Sequence, residues 1–193
     1  MLILLLSGPL AVGKSSVADV LVADCSFTRL RTGTYLVELA RKHGKPITRS
    51  TLQKIGDDLD EETDFRWPIE RVAMPTLTAA PTGGSWLLDS VRKPRQVQHF
   101  REQYGDAVIH AHLIAEENVL EDRYERRRAS GGDYSQDVSY QIAIQHPNEL
   151  AARSLGSIAD FTLDLTSTTA ADIATRIVAS LKNRDRRPCG LLY

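Results

Sequence analysis

The opening of the chain constrains its fold more than any other stretch. Leu2–Leu6 is an unbroken apolar run, and Ser7 leads from it directly into Gly8-Pro9-Leu10-Ala11-Val12-Gly13-Lys14-Ser15. A short run without polar alternation suits a strand buried on both faces, as in parallel sheets. The segment after it fits G-x-x-x-x-G-K-[ST], the spacing of a loop that cradles phosphate. Small residues let backbone N–H groups curve around a β-phosphate, and the helix that follows directs its positive N-terminus at the same anion. Val17, Val20 and Leu21 fall at helical spacing after Lys14 and supply that helix. Lys14 is placed to reach β- and γ-phosphate oxygens, and Ser15 to ligate Mg²⁺ through its hydroxyl, with Ser16 continuing the helix start. Average residue usage gives this pattern by chance in roughly one in a hundred chains of this length. Its position between a buried strand and a helix is the context the chemistry requires.

The rest of the chain repeats that alternation. Phe27–Leu30, Trp86–Leu88, Val108–Ile114 and Phe161–Leu165 read as strands. Helices are expected over Tyr35–Lys42, Ser50–Asp60, the stretch between Pro68 and Pro75, Arg95–Tyr104, Glu116–Arg128, Gln141–Leu155 and Ala170–Leu181. Pro81–Gly84 reads as a turn, and Gly131-Gly132 as the break that stops the charged helix. Strands separated by helices predict an α/β fold, a doubly wound parallel sheet with helices on both faces. The 193 residues suit a single domain over 1–183 with a short tail over 184–193.

Bulk properties disfavour several classes. Lys and Arg number 24 against 25 Asp and Glu, for a net charge of -1, so no general affinity for nucleic acid or an anionic membrane is expected. No stretch approaches the ~20 apolar residues of a membrane span, and the first strand lacks the flanks of a signal peptide. Cys25 and Cys189 form no metal or disulfide pattern and read as thiols of a reducing cytoplasm.

Two further segments carry chemistry. Asp89 closes the apolar run Trp86–Leu88, at the carboxyl end of a strand, where open α/β sheets bind their ligands. A phosphate loop needs an acidic partner to help hold Mg²⁺, and Asp89 is the candidate. Three residues on, Arg92 offers a planar fork suited to two hydrogen bonds with one phosphate. The helix over 116–128 then carries Arg123 and Arg127 four residues apart, hence on one face. Arginines brought over a transferring phosphoryl group would stabilise its charge. A solvated helix with surface pairs to Glu117, Glu121 and Glu125 accounts for the same residues.

These segments together resemble the nucleoside monophosphate kinase superfamily of P-loop kinases. Thr48-Arg49-Ser50-Thr51-Leu52-Gln53-Lys54-Ile55-Gly56-Asp57, with Trp67 beyond, is similar to the arginine, Leu-Gln, Gly pattern of phage-type deoxynucleoside monophosphate kinases. Asp89–Pro94 resembles their Asp-Val-Arg segment, and His146-Pro147-Asn148-Glu149 their His-x-Ser-Glu stretch. Arg123 to Leu165 also resembles dephospho-CoA kinase, through its paired arginines, Gln145-His146-Pro147 and Ile158-Ala159-Asp160-Phe161. Thr34 and Val37 stand where adenylate kinases carry Asp and Arg, and Asp164-Leu165-Thr166 lacks the Asn-x-Gly of the adenine-side loop in both branches.

The resemblance implies ATP and Mg²⁺, an acceptor-binding region over about 31–80 and a lid over about 116–140. Arg31, Arg49 and Arg66 are its cationic candidates, Arg92 is to hold the acceptor's own phosphate, and Tyr35 and Trp67 are candidate stacking surfaces. The expected activity is transfer of the γ-phosphoryl group to a small phosphate-bearing acceptor, a (deoxy)nucleoside monophosphate first and dephospho-CoA or another phosphate ester second. A slowly hydrolysing nucleotide switch is the alternative of another class; a homodimer stays open.

Overall fold

The computed structural model describes residues 1–80, 83–130 and 138–185, apart from the side chains at 49 and 183–185. Five strands, β1 (Leu2–Ser7), β2 (Phe27–Arg29), β3 (Ser85–Leu88), β4 (Val108–Ile114) and β5 (Phe161–Asp164), form one sheet in the order β2-β3-β1-β4-β5. Every pairing is parallel, with Leu5 opposite Leu88 on one side and His110 on the other. The first strand is therefore central, flanked on both sides, and its apolar run has no solvent face to satisfy. Alternation within it feeds two cores. Leu4 and Leu6 pack with Val17 and Leu21 of α1 (Lys14–Asp24) and with Ile173, Ile177 and Leu181 of α9 (Ala170–Asp185). Ile3 and Leu5 pack on the other face with Val97 and Phe100 of α5 (Pro94–Tyr104) and with Trp67.

Between β2 and β3 the chain builds α2 (Thr32–Lys42), α3 (Arg49–Glu62), a π-helical turn over Pro68–Ala73 and α4 (Met74–Ala79). Thr48 caps α3, its hydroxyl accepting the Thr51 N–H at 3.2 Å, one of the orphan donors at a helix start. After β4 come α6 (Glu117–Ala129), α7 (Tyr140–Ala143) and α8 (Pro147–Ser154). The single helix expected over Gln141–Leu155 is thus two. Pro147 pushes His146 to φ -63°, ψ 135°, which ends α7 and starts α8 at its own N1 position. Gly131-Gly132, part of the Pro81–Gly84 turn and the tail beyond 185 lie outside the described residues. Among the described residues no helix is long and apolar enough to cross a membrane.

Candidate active site

The loop from Gly8 to Gly13 leaves β1 at its carboxyl end and enters α1 at Lys14. Its shape depends on two glycines. Gly8 has φ +149°, and a Cβ there would sit 2.6 Å from the Leu113 carbonyl oxygen. Gly13 has φ +105°, a left-handed conformation that favours glycine. The resulting turn brings the Lys14 Nζ back over the loop, where it donates to the carbonyls of Gly8 at 2.6 Å and Pro9 at 2.9 Å. Burial lowers the Lys14 pKa to about 8, and nearby Arg92 pushes the same way while Glu149 and Asp89 oppose it. The ammonium is the point where the charged groups of this face converge, and an anion against it would raise its pKa again.

A cavity of about 520 Å³ opens at this end of the sheet. Gly8, Leu10, Ala11, Lys14 and Ser15 form one wall, and Asp89, Arg92 and Arg31 face it from the ends of β3 and β2. The strand order explains the meeting: β3 lies beside β1, so a residue following Leu88 emerges next to a loop following Ser7. The loop fits a nucleotide's phosphates, since its two positive-φ glycines give it the curvature that brings the Lys14 ammonium over it. The oxygen donors of Ser15 and Asp89 fit the hard cation Mg²⁺. Ser16 is exposed on α1 and does not line the cavity.

Other expectations resolve differently. Trp67 is 5% exposed, its indole N–H donates to Asp60 at 2.8 Å, and the Gln96 amide donates to the same oxygen at 3.2 Å. It is a core residue joining α3 to α5. Tyr35 stacks on it with ring centroids 6.0 Å apart and planes at 22°, so the two aromatics cover each other and neither lines the cavity. Arg66 pairs with Glu102 at 3.7 Å, away from the site. The Arg49 side chain lies outside the described residues.

The two arginines of α6 separate in role. Arg123 donates to the carbonyls of Val12 at 3.2 Å and Leu165 at 2.8 Å, so it fastens the loop to the segment after β5 instead of reaching across the cavity. Arg127 lies one turn on, close enough for its charge to act on Lys14. Arg126 and Arg128 form local pairs with Asp122 at 2.8 Å and Glu125 at 2.9 Å, as a solvated helix would.

Two groups at the site had no individual signal in the sequence, and a third, Glu149, had one only within the His146–Glu149 resemblance. Arg29 bridges Asp19 at 3.1 Å and Asp89 at 3.4 Å, holding the proposed metal-side carboxylate from β2. Glu149 reaches from α8 to accept the Leu10 N–H at 2.7 Å. Beneath the loop the fully buried Ser7 hydroxyl meets His110 Nε2 at 2.6 Å and His112 Nδ1 at 2.8 Å. The parallel register sets Ser7 opposite His112 and Leu5 opposite His110, which puts all three polar side chains on one face.

No family model matches the chain, and no curated protein matches its sequence. Solved structures do match in shape. A gluconokinase from Sinorhizobium meliloti 1021 is 17% identical with a TM-score of 0.53, covering 96% of this chain and 98% of its own. A shikimate kinase from Acinetobacter baumannii, in complex with shikimate, is 16% identical with a TM-score of 0.56, covering 97% and 96%. The tunicamycin resistance protein of Deinococcus radiodurans is 18% identical with a TM-score of 0.58, covering 93% and 95%. The chain has the fold of the P-loop kinases.

Proposed function

We propose that this chain is an ATP-dependent phosphotransferase that passes the γ-phosphoryl group to a small anionic acceptor. The observation that carries the reading is that one cavity is lined by Lys14, Ser15 and Asp89 and also by Arg31 and Arg92. Donor-side and acceptor-side charges thus face one space. Phosphoryl transfer asks little covalent work of a protein; it asks for alignment and for compensation of charge on the transferring oxygens. Lys14 places an ammonium against the β- and γ-phosphate oxygens. Ser15 and Asp89 would hold Mg²⁺, which when bound neutralises charge on those same oxygens. Arg31 and Arg92, both exposed at the cavity, orient the acceptor through its own anionic group.

For the acceptor, the resemblance to nucleoside monophosphate kinases favours a (deoxy)nucleoside monophosphate, with Arg92 on its phosphate and the amide of Gln53, which also lines the cavity, facing the rest of the molecule. A second reading has its own support. The aromatic pair Tyr35–Trp67 is packed on itself, leaving no stacking platform from those residues, and two of the structural neighbours are kinases of gluconate and shikimate by name. A compact hydroxylated acid would satisfy the same arginines.

A coupled ADP-release screen decides between them. The panel holds the nucleoside and deoxynucleoside monophosphates, dephospho-CoA, gluconate and shikimate, each with Mg²⁺ and ATP. Acceleration by a nucleotide supports the first reading, and acceleration by a polyhydroxy acid the second. If no acceptor accelerates ADP release, the phosphotransferase reading fails and a slow nucleotide switch takes its place.

A further inference from the structure

Four side chains of α8 and its cap reach out to separate parts of the molecule. His146, at the N-cap, is within 2.6 Å of the Gln53 side-chain amide on α3 through Nε2. Asn148 donates to Asp57, also on α3, at 3.0 Å. Glu149 accepts the Leu10 N–H of the phosphate loop at 2.7 Å. Arg153 holds the same Glu149 oxygen at 3.2 Å and extends to Glu117 of α6, at 2.9 and 3.1 Å, and to the Tyr140 hydroxyl of α7 at 2.9 Å.

Glu149 stands at N3 of α8, where a glutamate usually folds back onto the N-cap N–H to complete a capping box. Here that task is already done by others. The His146 N–H goes to the Ala143 carbonyl at 3.3 Å, and His146 Nδ1 accepts the Asn148 N–H at 3.2 Å. The Glu149 carboxylate, 13% exposed, is therefore spent on a backbone group 139 residues away. A carboxylate withdrawn from water this far is costly unless paired, and its partners are Arg153, the loop amide and the charge of Lys14. The Arg153 pair is an ordinary i,i+4 contact within α8; local helix stability explains neither the loop amide nor the charge of Lys14.

We propose that Glu149 is a positioning residue of the phosphate loop and that the first turn of α8 couples that loop to the acceptor-side helix α3. The inference rests on the phosphotransferase reading above. When α3 is drawn onto α8 through Gln53 and Asp57, the His146–Asn148 turn is held. Glu149 is then fixed against Leu10, and the loop keeps the curvature that presents its remaining amides to phosphate. Conversely, a nucleotide that fixes the loop steadies the surface on which α3 closes. Acceptor and nucleotide sites would thus share one rigid element.

Binding of the non-hydrolysable analogue β,γ-imido-ATP with Mg²⁺, by titration calorimetry, tests this without an identified acceptor. Four proteins join the wild type: Glu149→Gln, Glu149→Ala, Asp57→Ala and the Asp57→Ala/Glu149→Ala double variant. Asp57 does not line the cavity. Glu149→Ala is expected to bind roughly ten- to a hundredfold more weakly, the weight of a hydrogen bond to a charged group. Glu149→Gln, which keeps an oxygen for the Leu10 N–H but loses the charge, should fall between. Asp57→Ala should weaken binding severalfold, and the double variant should be no weaker than Glu149→Ala alone, since both act through one turn. Thermal midpoints measured alongside separate loss of fold from loss of positioning. Wild-type affinity in folded Glu149→Ala, or full additivity in the double variant, overturns the proposal. If the wild type itself fails to bind the analogue, the phosphotransferase reading falls, and the coupling with it. Normal binding followed by no phosphorylation in the acceptor screen removes that reading alone.

Discussion

Acidification from pH 7 to pH 5 bears on this fold through the histidine pair beneath the phosphate loop. His110 and His112 are 0% and 2% exposed and share the Ser7 hydroxyl, an arrangement that holds both rings neutral. Burial lowers each pKa to about 4; Arg101 and the neighbouring His112 add to the effect at His110, and Lys14 at His112. In the unfolded chain both return to about 6.5. A base whose pKa is depressed by folding is protonated first in the unfolded state. The stability it contributes is therefore complete above pH 6.5, declines as the pH falls, and stops declining below about 4. The full shift from 6.5 to about 4 corresponds to about 3 kcal/mol per ring. Between pH 7 and 5 the linkage gives about 2 kcal/mol for one ring, and the second ring, coupled to it through Ser7, acts in the same direction. Against a typical domain stability of about 5–15 kcal/mol that is a large fraction. Urea unfolding at pH 7, 6 and 5 measures it, with a His110→Gln/His112→Gln variant as comparison. The variant is expected to be less stable at pH 7 and to lose most of the pH slope. A wild-type stability that is flat over this range, or an equal slope in the variant, refutes the reasoning.

Three kinetic predictions accompany it. Lys14→Ala should abolish transfer, by roughly 10²–10³-fold or more, in a protein that still melts cooperatively, since one preorganised charge clamp is lost; a near-normal kcat and KM for ATP would remove Lys14 from the chemistry. Asp89→Asn should lower the rate and shift the Mg²⁺ titration of activity, whereas coincident Mg²⁺ curves would return Asp89 to its ion pair with Arg29. Arg92→Ala should raise the acceptor KM by roughly ten- to a hundredfold, the weight of a charge-assisted hydrogen bond, with the ATP KM little changed; equal effects on both would place Arg92 on the donor side.

What the sequence conveyed followed from how local each signal is. The β1 run and the glycine spacing after it are contiguous, so strand, loop and helix could be read together, and Val108–Ile114 appears with the bounds expected. The break within Gln141–Leu155 was also written locally, in Pro147, whose effect on His146 ends a helix. Trp67 shows the opposite limit. An aromatic with a polar edge suits both a stacking surface and a buried anchor, and the partner that decides, Asp60, is recognised only when α3 is seen folded against α5. Arg123 is similar, because i,i+4 spacing places it on a face without saying that the face meets the carbonyls of Val12 and Leu165. The Ser7–His110–His112 cluster had no local signature, since Ser7 lies more than 100 residues from both histidines, and Glu149 stood in a legible stretch whose contact with Leu10, 139 residues away, was not legible.

The central place of β1 has a consequence for how the protein is made. This strand is synthesised before both its neighbours in the sheet, Ser85–Leu88 and Val108–Ile114. At the usual pace of about 5–20 residues per second, the second neighbour follows about 5–20 s later. Until then Leu2–Leu6 is an apolar segment without its full set of sheet partners, and such segments aggregate or engage chaperones. The run that makes the fold easiest to read is thus also the one most in need of shelter on the ribosome.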